Sequence, residues 1–409
     1  MQVAQIIGSV VGPDAPVRLI GYDGSKAGPD TAEAVLRISS PRAMARLATA
    51  PGSLGLARAY VEGEIEVEGD LYGLLDAMAD LTLHRLPRGQ QARIARRLLP
   101  LWLRHRMPLP ELEYRPPGRL HSKARDRQAI AHHYDVSNTF YAWVLGPSMA
   151  YTCAVYPHPG ATLEQAQAAK HALVADKLAL RPGMRLLDVG CGWGGMVMHA
   201  AAEHGVSALG VTLSSNQAEW AQAEIARRGL QDLAEVRHLD YRDVPDEQFD
   251  AISSIGLTEH IGRAQLPAYF AALASRLRPG GRLLNHCITL GRSPTRRRGD
   301  PFISRYVFPD GQLHSLGHLI AVMNDAGFEI RHEENLREHY ARTLAAWGAN
   351  LEEHWDEAVA EIGPGRARVW RLYMAAARLG FARDNIQLHQ VLGVRPDGSG
   401  GSGFPLRGW

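Results

Sequence analysis

Residues 186–195 read LLDVGCGWGG, an apolar run that breaks into glycines at 190, 192 and 194 and leads directly into GMVMHAAAEHG. A buried strand, a glycine turn and a helix in immediate succession restrict the chain to few folds. The glycines let the backbone turn tightly and approach a ligand at the strand's carboxyl end. The surrounding sequence keeps the same alternation. TLEQAQAAKHALVADKL is expected to be a helix opening at a Thr N-cap with Glu nearby, SALGVTLS a strand and NQAEWAQAEIARRGL a helix. AEVRHLDYRD and FDAISSIG follow as strands, LPAYFAALASRL as a helix and GGRLLNHCITL as a strand. Continuous apolar strands separated by helices of this length imply an α/β domain whose parallel sheet is covered on both faces.

Composition excludes several classes. Of 409 residues, 45% are apolar and 22% charged, as in an ordinary globular protein. No apolar run approaches the roughly 18–20 residues that cross a bilayer. The start, MQVAQIIGSVVGPDAPVRL, lacks the basic region and cleavage site of a signal peptide, so a cytoplasmic location is expected. Cys153, Cys191 and Cys287 form no CxxC pair, which argues against a disulfide framework and a zinc site; no metal is expected.

Net charge is only +2, yet residues 85–127 hold twelve Lys or Arg against three acids, leaving about −7 on the rest. Within that stretch, RIARRLLPLWLRHR mixes Arg93, Arg96, Arg97 and Arg104 with Leu, Ile and Trp. The mixture suits an anionic membrane surface; a solvated linker and helix face is the plainer alternative. No nucleic-acid-binding motif accompanies it, so no nucleic-acid partner is expected. The first 107 residues read as a small α+β unit. VRLIGYDG and AVLRISS are expected strands, SPRAMARLA a helix with Ser40 as N-cap, and DLYGLLDAMADL a second helix. Residues 108–127 read as a Pro- and Arg-rich linker, 128–395 as the main domain and 396–409 as a flexible tail.

Asp188 before the glycines, and Thr212 where a dehydrogenase places an acid, favour a class I methyltransferase over a nicotinamide enzyme. The resemblance then becomes specific. AHHYDVSNTFYAWVLGPSMAYTCAVY, LLDVGCGWGG, GVTLSSNQAEWA, RDNIQLHQVL and, near the start, GSLGLARAYVEGEIEVEGDLYGLLDAM resemble the cyclopropane-fatty-acid synthases, a family that includes the mycolic acid cyclopropane synthases. The resemblance implies a Rossmann-like fold with a mostly parallel seven-stranded sheet, and S-adenosylmethionine as cofactor. By motif, the cofactor site would use Tyr134, Thr152, Asp188, Gly190, Gly192, Gly194, Thr212, Leu213, Gln217, Asp240 and Tyr241. Gln217 would bridge the ribose hydroxyls, Asp240 would accept from the adenine amino group, and Asp188 would order the glycine loop. Trp220 reads as helix packing.

The resemblance also implies the chemistry: a sulfonium methyl goes to a cis double bond of an unsaturated phospholipid acyl chain, and a methyl proton must then leave. A bicarbonate ion is the implied base, held by Glu259 in GLTEHIG, Cys153, His286 and Ile288 in LLNHCITL, and Tyr340 in EHYARTLAAW. His260 is expected to be a cap or supporting partner, and Cys191 and Cys287 structural. Thr258 stands where several members carry an aromatic residue. It leaves open whether the product is a cyclopropane or a methylene-branched chain that a partner reductase would complete. A methyltransferase for a soluble molecule and a non-enzymatic lipid binder are the alternatives. The sequence sets no oligomeric state, a homodimer included.

Overall fold

The structure, a computed structural model, describes residues 2–11, 16–50, 52–79, 89, 108–134, 136–245, 247–291 and 300–406. Arg93, Arg96, Arg97 and Arg104 lie outside them, as does the side chain of Tyr134. The chain forms two units, Met1–Arg115 with Arg298–Pro309 and Trp355–Leu379, and Pro116–Arg297 with Asp310–His354 and Gly380–Trp409.

The first unit holds a four-stranded sheet of β1 (Val17–Ile20), β2 (Lys26–Ala27), β3 (Ala34–Ile38) and β4 (Ile65–Glu68) in the order β2-β1-β3-β4. Alternation in β3, with Ala34, Leu36 and Ile38 inward, supplies one face of the core. Met44, Tyr60 and Leu74 from the flanking helices complete it. Ser40 caps the helix Pro41–Thr49 by accepting the Arg42 N–H.

This unit is not confined to the first 107 residues. Leu372 and Ala375, on the helix Pro364–Ala382, pack into the same core. Residues 108–115 are not a free linker either: the Glu113 side chain is fully buried and takes both a 2.8 Å and a 3.0 Å hydrogen bond from the Arg58 guanidinium. Breaking a buried pair by removing one partner costs about 3–5 kcal/mol, so this contact fixes the segment.

The second unit is built on β5 (Arg185–Val189), β6 (Ser207–Thr212), β7 (Ala234–His238), β8 (Phe249–Ile255), β9 (Leu277–Leu290), β10 (His314–Ser315), β11 (Glu329–Asn335) and β12 (Ile386–Val394). Seven strands run β11-β12-β9-β8-β5-β6-β7, and the two-residue β10 pairs with β9. β9, β8, β5, β6 and β7 are mutually parallel, while β12 is antiparallel to both its neighbours. Consecutive side chains of β5 enter opposite cores: Leu186 packs with Val197, Ala221 and Val236, and Leu187 with Phe249, Phe270 and Leu283. Strand order reverses between β5 and β8, the place where open α/β sheets hold ligands beyond their carboxyl ends. The helix Leu163–Leu178 opens with a capping box in which Gln165, rather than Glu, answers Thr162.

Within the tail, Asp397 and Phe404 make defined contacts, while Leu406 is fully exposed. Asp397 accepts the N–H groups of Ser399 and Gly401, and the Phe404 ring lies 4.6 Å from the Arg282 guanidinium and 4.7 Å from that of Arg331. Two guanidinium groups against one aromatic ring, with an aspartate-closed turn before it, anchor Phe404.

Candidate active site

β5 ends where Gly190 turns to φ +75°, and the N–H groups of Gly190 and Cys191 both donate to the Val211 carbonyl at the end of β6. The other two glycines differ in what surrounds them. A Cβ at Gly194 would meet Val236 at 3.2 Å and Ala221 at 3.3 Å, so this glycine lets helix and sheet close together. A Cβ at Gly192 would meet nothing within 4 Å, because its backbone faces an open cleft.

Thr152, Asp188, Gly190, Gly192, Thr212, Leu213, Gln217 and Tyr241 all line that cleft. Thr212 Oγ1 donates to Gln217 Oε1 at 2.8 Å, which leaves the Gln217 amide nitrogen as the group to offer a ligand. Tyr241 stands edge-on to Tyr269, with centroids 5.1 Å apart. Asp240 accepts from the Arg242 guanidinium through both oxygens, at 2.8 Å and 2.6 Å, and Arg242 itself lines the cleft.

Asp188 is buried and accepts the Ser253 hydroxyl at 2.6 Å; burial pushes its carboxyl up to about 6 against that bond and Lys170. Lys170 lines the same cleft, donating to Thr152 Oγ1 at 3.1 Å and lying 3.0 Å from His171 Nε2. Burial pushes its ammonium down to about 8, with Asp188 and Cys153 opposing. Sequence reading missed Lys170, Trp193 and Arg242, all of which line the cleft.

A second cluster lies at the carboxyl ends of β8 and β9. Thr258–His260 forms a short helical turn beyond β8, and Glu259 Oε1 accepts the Ile288 N–H at 2.7 Å. Its Oε2 is buried without a hydrogen-bond partner, and burial pushes the carboxyl up to about 7. His286 sits two residues before Ile288 and opposite Ile255 of β8; its Nδ1 lies 3.1 Å from Gln390 Nε2, while its Nε2 is buried without a partner. Burial, then Lys170 and Lys177, hold His286 far below the usual imidazole range, so it is neutral.

Cys153 is buried, its thiol raised by that burial and donating to the Ala154 carbonyl at 3.2 Å. The Ala154 N–H donates to Thr343 on the helix Arg337–Glu353, which also carries Tyr340. The Tyr340 ring packs 4.4 Å from Phe381 and edge-on to Trp347 at 6.1 Å. His260 is neutral, pushed down to about 4 by burial and His121. Thr258 is buried and donates to Asn285 at 2.5 Å. Among the described residues no cluster of three or more His, Cys, Asp or Glu side chains is placed to hold a metal.

The model of the mycolic acid cyclopropane synthetase family matches residues 121–391. The chain belongs to that family. A probable fatty acid methyltransferase of Mycobacterium tuberculosis is 51% identical over 406 residues, covering 96% of this chain and 94% of its own length. The cyclopropane-fatty-acyl-phospholipid synthase of Escherichia coli K12 is 37% identical over 67% of this chain and 69% of its own. Among solved structures, the mycolic acid cyclopropane synthase CmaA1 complexed with SAH and CTAB superposes with a TM-score of 0.62 at 33% identity, over 65% of this chain and 97% of that one. The protein is therefore an S-adenosylmethionine-dependent methyltransferase of the cyclopropane fatty acyl synthase type, acting on lipid acyl chains.

Glu259 gives this family member a distinct stability profile. Its folded pKa is raised above the ordinary 4.5, so the native state binds the extra proton between about pH 4.5 and 7. Its contribution is complete below the unfolded pKa and lost as pH rises through 7, by up to about 3 kcal/mol. Glu259→Gln is expected to be thermally more stable relative to wild type at pH 8 than at pH 4.5. Parallel melting curves across that range would rule this out.

Proposed function

We propose that this family member transfers a one-carbon unit to the cis double bond of an unsaturated phospholipid acyl chain, with bicarbonate as the base and a cyclopropane as the nominal product. The reading rests on Glu259 Oε2 and His286 Nε2, two buried polar atoms without partners at neighbouring strand ends. Burying polar atoms unpaired costs about 1–3 kcal/mol each, so each of the two calls for a polar ligand atom.

The cleft fits S-adenosylmethionine. Gly190 and Gly192 present bare backbone, Gln217 offers its amide for ribose hydroxyls and Tyr241 gives an aromatic wall. When bound, S-adenosylmethionine supplies a methyl on a positively charged sulfur, and bicarbonate supplies a proton acceptor. The chain's own residues set the conditions. Glu259, poised to titrate near neutrality, orients the anion by donating or accepting through Oε2. His286 donates through Nε2, Tyr340 through its hydroxyl and Cys153 through its backbone N–H, while the Ile288 N–H holds Glu259 in place through Oε1. Tyr151 and Tyr340 flank the fully buried Trp347, with ring centroids 5.3 Å and 6.1 Å away, forming a dry aromatic wall. A weak olefin nucleophile needs such a site, because water would compete and would screen the charge developing on carbon.

Removing bicarbonate from the assay is expected to abolish most turnover, and adding it back to restore it; indifference to bicarbonate would overturn its assignment as the base. Proton NMR of the product lipid decides the branch. Ring protons mean cyclopropane, and vinylidene protons mean a methylene chain that a partner reductase would complete.

We place the enzyme peripherally on the cytoplasmic membrane face. No helix among the described residues is long and apolar enough to cross a membrane, and the Arg-rich stretch suits anionic lipid. Replacing Arg93, Arg96 and Arg97 together by Ser is expected to weaken binding to anionic vesicles by about 3 kcal/mol at low salt, at ~1 kcal/mol per charge, and less at high salt. Unchanged sedimentation with vesicles would contradict it.

A further inference from the structure

His286 is held by a row of side chains that crosses three strands. Glu334 on β11 pairs in register with Gln390 on β12, and Gln390 pairs with His286 on β9. Lys177, in the last turn of the helix Leu163–Leu178, completes the row. Its Nζ donates to Gln390 Oε1 at 2.7 Å and to the Glu334 carboxylate. We infer that Lys177 and Gln390 are positioning residues that fix His286 as its Nε2–H tautomer.

The argument is one of donors and acceptors. A glutamine amide is nearly symmetric in shape, so contact with His286 alone would not decide which end faces the ring. Lys177 breaks that symmetry, because an ammonium only donates and the amide atom 2.7 Å from it must be the oxygen. The amide nitrogen then faces His286 Nδ1, 3.1 Å away, and Nδ1 must accept. The ring proton is therefore on Nε2, the buried atom without a partner. A doubly protonated ring is disfavoured for the same reason, since it would set two donors against each other. His286 is thus a fixed neutral donor and carries no proton away. The ligand it meets rests on the bicarbonate reading above; its tautomer does not.

The test is the ¹⁵N spectrum of histidine-labelled full-length protein, with His286 assigned by its loss in His286→Gln. In the wild type, Nδ1 should show the unprotonated shift and Nε2 the protonated one. In Gln390→Glu, a carboxylate facing Nδ1 should draw the proton there and reverse the pattern or charge the ring. Lys177→Met should give mixed tautomers. Turnover should fall about 10–100-fold in Gln390→Glu, the range for partners that orient a functional histidine, while S-adenosylmethionine affinity stays within about twofold. An Nδ1–H tautomer in the wild type, which needs no variant to fold, would overturn the inference, as would an unchanged tautomer in both variants. Nε2–H in the wild type with bicarbonate-independent turnover would uphold it and remove the bicarbonate assignment instead.

Discussion

Glu259→Gln is expected to lower turnover on unsaturated phospholipid by about 10²–10⁴-fold, the range for losing a positioned acid–base group, with S-adenosylmethionine affinity unchanged. The substitution is conservative in shape. Gln can still accept the Ile288 N–H through its Oε1, so the strand end and the turn Thr258–His260 keep their contact. Only the second atom changes, from a carboxylate oxygen that titrates near 7 to an amide nitrogen that always donates. An amide cannot match the anion's changing need for donors and acceptors as a proton arrives. Full activity in this variant, measured under saturating cofactor, would remove Glu259 from the site.

The glycine loop gives the second large effect, and its two neighbouring glycines should fail differently. Gly192→Val is expected to fold but to lose S-adenosylmethionine affinity by at least about 100-fold. The positive φ of +55° strains a branched residue, by roughly 1–3 kcal/mol, yet its Cβ meets none of the chain's own atoms. The side chain instead occupies the cleft. Gly194→Val should lose stability first, because its Cβ would press on Val236 and Ala221 at 3.2 Å and 3.3 Å. Strain and overpacking together predict a loss of about 2–5 kcal/mol. Calorimetry with cofactor and thermal melts on both variants separate the two cases. Equal melting temperatures with equal affinities would show that the loop does not approach a ligand.

The strand–glycine–helix unit at 186–195 was legible because backbone freedom and apolar periodicity are local properties. So was Glu259, since an acid just past an apolar strand stands out by contrast. Other features depend on contacts between distant segments. Lys177 and Gln390 meet across 213 residues, and nothing in ADKLAL marks its lysine as buried. Lys170 looks like one solvated charge of an amphipathic helix until the sheet closes over it. The antiparallel β12 supplies Gln390 from between β9 and β11, a strand order that periodicity does not encode. Nothing in DYRD marks Arg242 as the partner of both Asp240 oxygens. The small unit borrowed Leu372 and Ala375 from a helix over 250 residues after its own last strand, β4. Residues 108–115 looked like a linker by composition, and one buried carboxylate made them part of the fold.

The most direct measurement is incubation with methyl-labelled S-adenosylmethionine and vesicles of unsaturated phospholipid, read by lipid mass spectrometry. The expected result is label in the acyl chain as a gain of one CH₂, dependent on bicarbonate and lost in Glu259→Gln. Cofactor binding with no label in the lipid would contradict the assignment of this site to acyl-chain chemistry.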